Sequence, residues 1–189
     1  EGAGAALSSG DERNIALGYL AMQFAANIDN SIAIGDVAGY NANGSHNLMF
    51  GSFSGDGLLG DFNVCLGENT CSGLDGDYNV VLGSAAGYGV VGNDNVYIGG
   101  LSGNRMQDSY RTVTLGAQSL NEARRATSST AIGYGALEGG SINFFTENNT
   151  ALGYRAGNTI NTGGNNNLLI GYQAADSLTT GSNNLIIGY

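Results

Sequence analysis

A glycine preceded by three strand-forming residues returns every 16 to 20 positions along this chain, at Gly18, Gly35, Gly51, Gly67, Gly83, Gly99, Gly116, Gly133, Gly153, Gly171 and Gly188. Internal periodicity on this scale decides the architecture before any single residue does. The interval is too short for two packed helices per repeat, and the segments after each Gly lack helical periodicity, so each repeat reads as one coil carrying two short strands. Eleven copies tile the 189 residues as one solenoid domain, 1–189. Parallel coils about 4.8 Å apart would make it a rod on the order of 50 Å long.

The position before each Gly is Leu, Ile or Phe, and the position two residues earlier is Ile, Val, Leu or Thr. Both rows are expected to face one core. The residue between them varies freely (Ala16, Ala33, Met49, Cys65, Val81, Tyr97, Thr114, Ala131, Ala151, Leu169, Ile186), which implies more permissive surroundings and the period of two that marks a strand. Three residues after the Gly the side chain is always small, from Ala21 and Ala38 to Ala156 and Ala174. A second inward row follows, tight because the coil turns back there, with the Gly easing the bend.

Four residues before the Gly stands Asn14, Asn47, Asn63, Asn79, Asn95, Asn149, Asn167 or Asn184, with Ser31, Thr112 and Ser129 in the other three copies. Stacked coils would set these short polar side chains in a ladder, satisfying turn backbone groups or the equivalent residue one coil away. The pairs Asn63 with Gly67, Asn79 with Gly83, Asn149 with Gly153 and Asn167 with Gly171 carry this structural repeat.

Composition closes off other classes. With 42% apolar residues the chain is too rich to stay disordered despite its 33 Gly. Sixteen acidic against six basic residues, a net charge of −10, would repel a phosphate backbone, so no nucleic-acid partner is expected. No apolar run is long enough for a spanning helix and no basic amphipathic stretch suits a bilayer surface, so no membrane insertion is expected. Only Leu120 to Ala126 tolerates a helix locally, and the fold is expected to be all-β.

The stretch Asn30-Ser31-Ile32-Ala33-Ile34-Gly35-Asp36-Val37-Ala38 resembles the repeat of the YadA-like head domains of trimeric autotransporter adhesins. The segments from Asn149 to Gly157 and from Asn167 to Ala174 also resemble repeats of bacteriophage tail-fibre proteins. The resemblance implies a left-handed parallel β-roll, a homotrimer, and an extracellular, cell-surface or virion setting. Coils here are longer and more uneven than in the adhesin heads. The expected function is a non-enzymatic structural or adhesive subunit of an extracellular fibre or filament, the alternative being a shaft or receptor-binding segment of a tail fibre.

The chain opens on Glu1, which fits either removal of a signal peptide or excision from a longer polypeptide. It starts in mid-coil, with Ala3-Gly4 matching Ala156-Gly157, and reaches Gly188-Tyr189 near the same point of the coil. Both ends are therefore expected to be open and to receive further fibre domains or identical subunits stacked head to tail.

Chemistry-bearing residues are few. Cys65 and Cys71 are too few and too close for a disulfide scaffold or a four-ligand zinc site, leaving a local disulfide or two thiols. His46 sits in a loop with no partner arrangement that suits catalysis. Asp56, Asp61, Glu68, Asp75 and Asp77 gather in loops, but without an EF-hand or calcium β-roll spacing, so no metal or other cofactor is assigned. Arg105, Arg111, Arg124 and Arg125 form a basic band on an acidic rod, suited to a subunit contact or an anionic glycan. Phe144 and Phe145 lie in the longest repeat and are difficult to bury, marking an intersubunit or receptor contact. Tyr19, Tyr134, Tyr154, Tyr172 and Tyr189 follow the register Gly, and stacking along the rod accounts for them, a carbohydrate-binding stripe being the lesser reading.

Overall fold

The computed structural model describes residues 2–3, 11–121, 123–139 and 145–189. Each register Gly sits at the exit of a three-residue strand: β1 (Ile15–Leu17), β2 (Ile32–Ile34), β3 (Leu48–Phe50), β4 (Val64–Leu66), β5 (Val80–Leu82), β6 (Val96–Ile98), β8 (Val113–Leu115), β10 (Thr130–Ile132), β12 (Thr150–Leu152), β13 (Leu168–Ile170) and β14 (Leu185–Ile187). These eleven pair in parallel and in chain order, each residue opposite its repeat equivalent, for example Val81 with Tyr97 and Leu82 with Ile98. The remaining strands, β7 (Asp108–Tyr110), β9 (Arg125–Thr127) and β11 (Phe145–Glu147), form a second parallel sheet. Bridges through Ala26, Asn43, Leu59, Asp75 and Val91 continue that second ladder through the earlier coils. The protein is an all-β parallel solenoid of about ten complete turns, with no helix among the described residues; Arg125 and Ala126, the end of the stretch that tolerates a helix locally, belong to β9.

The turn after each strand needs a backbone that only Gly adopts without strain. At Gly83 φ is +130°, and a Cβ there would lie 2.7 Å from the Gly99 carbonyl carbon of the next coil. Past it, the chain forms a third wall of turns whose backbone groups bond from coil to coil, as Gly39 N–H does to the Ser54 carbonyl at 2.8 Å and Cys71 N–H to the Ala86 carbonyl at 3.1 Å. The small residue three positions beyond each Gly is buried in every coil described, from Ala21 through Ser102 to Ala174. The expected second inward row is present.

The first row is the other way round. The freely varying middle residue of each strand points inward, fully buried at Ala33, Met49, Cys65, Val81, Tyr97, Thr114, Ala131, Ala151 and Leu169. The large aliphatic residues on either side of it point outward, so that Leu17 is 62% exposed, Leu115 45% and Ile187 68%. Alternation along a strand separates two faces without saying which is the core. Here the interior of a 16-residue coil is narrow, and the volume it offers selects small or individually matched side chains. Rows of Leu and Ile are too wide for it.

The core is matched pairwise across that narrow space, between the middle residue and the residue six positions on. Met49 faces Gly55, Val81 faces Gly87 and Tyr97 faces Gly103, whereas Thr114 and Ala131 stand where Leu120 and Leu137 fill the opposite side. Where both partners are cysteine they are joined: Cys65 and Cys71, both fully buried, form a disulfide with Cα atoms 5.9 Å apart.

Candidate functional site

The Asn row is a buried ladder. Asn63 Nδ2 donates to Asn47 Oδ1 at 3.2 Å and to the Gly76 carbonyl at 2.8 Å, and its Oδ1 accepts both the backbone N–H and the amide of Asn79 at 2.9 and 3.0 Å. Asn79 and Asn95 repeat the arrangement. Thr112 and Ser129 interrupt it with hydroxyls, and Asn149, Asn167 and Asn184 resume it. A buried amide with all its groups paired is stable in a way that a half-paired one is not. These residues hold the coils together.

A second polar ladder runs two residues earlier, on the surface. Asp61 Oδ1 accepts the Ser45 N–H at 2.7 Å, Asp77 Oδ1 accepts the Asp61 N–H at 2.8 Å, and Asn93 Oδ1 accepts the Asp77 N–H at 2.9 Å. Two of the acidic residues gathered between Asp56 and Asp77 are thereby engaged as backbone acceptors. Among the described residues no group of three or more His, Cys, Asp or Glu could hold a metal ion. Asp56 differs from them: partial burial pushes its carboxyl above the usual value.

Between the two ladders lies a corner residue in the left-handed conformation, with φ of 61° at His46, 59° at Phe62 and 58° at Tyr78. Their rings stack, His46 on Phe62 at 4.5 Å and Phe62 on Tyr78 at 5.0 Å between centroids. The sequence reading missed this column. Its signal was the spacing of 16 between the three aromatic positions.

The tyrosines after the register Gly do stack: Tyr134 on Tyr154, Tyr154 on Tyr172 and Tyr172 on Tyr189, at 5.6, 5.1 and 5.5 Å with the rings within 11° of parallel. Tyr19 stands apart from them, with Asp36 at the next position of the column accepting its backbone N–H at 3.3 Å.

The four arginines lie in or beside the second sheet, in the two adjacent coils that carry β7 and β9. Arg125 pairs with Glu147 of the same chain at 3.1 Å, and Arg124 donates to Gln107 at 3.1 Å while its guanidinium lies 5.8 Å from the Phe145 ring centroid. Both arise because β7, β9 and β11 stack Asp108, Arg125 and Phe145 in one register. Arg111 is exposed at the corner before Thr112, and Arg105 is exposed three residues before β7. Phe145 is half-buried on β11; Phe144 lies outside the described residues.

A further candidate surface is the outward face of the long sheet. Two largely apolar columns run along it, one through Ile15, Leu48, Val80, Val113 and Leu185, interrupted by Thr130 and Thr150, the other through Leu17, Phe50, Leu82, Leu115 and Ile187. Single exposed apolar residues are ordinary, but a contiguous strip of them marks an interaction surface. At its ends, β1 pairs only with β2 and β14 only with β13, leaving one edge of each strand unpaired among the described residues. No family model, curated protein or solved structure matches the chain.

Proposed function

We propose that the protein is a non-enzymatic structural and adhesive subunit of an extracellular fibre, packing side by side with copies of itself through the outward face of its long sheet and extending through its strand edges. The observation that carries this reading is the double, largely apolar column on that face. Water contact with so long an apolar strip is unfavourable, at about 25 cal/mol per Å² of apolar area, and a flat repetitive surface finds its complement most readily in another copy of itself. The resemblance to adhesin heads suggests three copies about a common axis.

Other features support the same reading. The paired Cys65 and Cys71 suit an oxidising compartment such as the cell exterior. His46 is engaged in a ring stack and Asp61 and Asp77 in backbone hydrogen bonds, which fits a chain built for stacking instead of turnover. No helix among the described residues is long and apolar enough to cross a membrane.

Negative-stain electron microscopy with light scattering tests the reading. Lateral assembly through the strip predicts side-by-side association that is lost when Val113 and Leu115 are replaced by Glu, leaving single chains or single-file filaments, since both side chains point outward and the coil interior is untouched. Long unbranched filaments would favour head-to-tail extension, and uniform rods of three-chain mass a tail-fibre or adhesin-head segment. A monodisperse wild-type monomer overturns the proposal.

A further inference from the structure

The tyrosine column ends abruptly, and beyond its last ring is a trough. Tyr134 has Tyr154 on one face; in the next three coils the same column carries Ala117, Gly100 and Ser84. The space that aromatic rings would have occupied is a groove of about 440 Å³, floored by those residues and flanked by Leu101 and Gln118. Its volume lies within the range of about 300–1,000 Å³ usual for small-molecule sites.

We propose that this trough binds a neutral pyranose, seated with its apolar C–H face on the free face of Tyr134. Three observations define the ligand. The rings of the column are parallel within 11°, so the free face of Tyr134 presents a flat platform pointing along the trough, where the small Ala117 side chain leaves room for one more ring. Stacking on an aromatic face suits a flat ligand with one apolar side. In a chain with a net charge of −10, not one lining residue is charged, so there is no partner for a carboxylate, a sulfate or an amine. Finally, the exposed Ser84 hydroxyl and the half-buried Gln118 amide line the trough, where they are placed to meet ring hydroxyls. On the C-terminal side Tyr is accepted at this position in four successive coils, so small residues at 84, 100 and 117 are not imposed by backbone packing; on the other side the column continues through Glu68, Ser52 and Asp36.

The inference rests on the attachment-fibre reading for its place in biology, but sugar binding and assembly are measured separately. The probes are methyl glycosides of glucose, galactose and mannose, added to the full chain and read by saturation-transfer NMR, with light scattering on the same samples. The expected result is transfer to the protons of one sugar face, weakened about tenfold or more by Tyr134→Ala and abolished by Ala117→Tyr, which extends the ring column into the trough, with the assembly mass unchanged. Ala117→Tyr keeps the test sound if Tyr134→Ala disturbs the column, because Tyr occupies this position in the neighbouring coils. No transfer with any of the three glycosides overturns the proposal, as does transfer that survives Ala117→Tyr. A fall in assembly mass on Ala117→Tyr would also overturn it, assigning the trough to a side chain of a second copy, while leaving the fibre reading intact.

Discussion

The ring of Tyr97 occupies the space left by the absent side chain of Gly103: a Cβ on Gly103 would stand 2.6 Å from Tyr97 Cδ1, on a backbone whose φ is +60°. Tyr97 is fully buried, and its hydroxyl donates to Ser109 Oγ at 2.8 Å. Burial pushes its phenol far above the usual range, the Ser109 hydrogen bond opposing this, so the group stays neutral and acts as a donor. The pair shows how the coil admits a large residue, by removing one from the facing wall.

Gly103→Ala is therefore expected to destabilise the protein by about 2–4 kcal/mol, combining overpacking with the strain of a left-handed alanine. In a Tyr97→Ala background the overpacking part should vanish, as Ala131 admits Leu137 at the facing position, leaving about 1–2 kcal/mol for the left-handed alanine. Denaturant unfolding of the four proteins of this cycle checks it; additive effects would show that the two residues do not share one space.

Asn79→Ala should cost about 2–4 kcal/mol, because it leaves the Gly92 carbonyl without the Asn79 amide and the Asn95 N–H without its acceptor, while the Asn95 amide keeps only the Ser109 carbonyl. Asn79→Ser should cost less, since Ser31 already fills the same role, its hydroxyl accepting the Asn47 N–H at 3.0 Å. Thermal unfolding of the two variants in parallel gives the order.

Replacing Cys65 and Cys71 together by Ala should lower stability by about 2 kcal/mol, the entropy of closing so short a loop in the unfolded chain. Because both sulfurs are fully buried, alkylation after treatment with reductant is expected only once denaturant is added, as followed by intact mass. Ready alkylation of the native protein would show that this wall opens locally.

The Asp56 carboxyl is held above its ordinary value of 3.8 through partial burial. A raised folded value means that the charged form is the disfavoured one. Stability contributed by the neutral acid is present below 3.8 and is lost as pH rises through the raised value. Asp56→Asn is expected to remove that loss, so the variant should gain on the wild type between acidic and neutral pH. Melting temperatures across that window check the sign.

Much of this architecture was legible from spacing. The register Gly, the small residue three positions later and the Asn ladder each repeat at fixed offsets, and identical offsets in stacked coils can only place equivalents above one another. The tyrosine stack followed from the same logic. The orientation of the strand did not. Leu17 and Leu115 look like core residues by composition, and Ala16 and Thr114 do not, yet the order is reversed because the width of the coil interior is set by how closely its walls approach.

Local pattern thus specified the coil, its period and its register, all of which depend on short-range backbone geometry. Which face closed inward, that Tyr97 meets Gly103 and Cys65 meets Cys71, and that Tyr134 ends its column above a trough depend on distances across the core and between coils. Those distances exist only once the walls are packed, and residues such as Ala117 or Gly100 take their meaning from a neighbour a whole coil away.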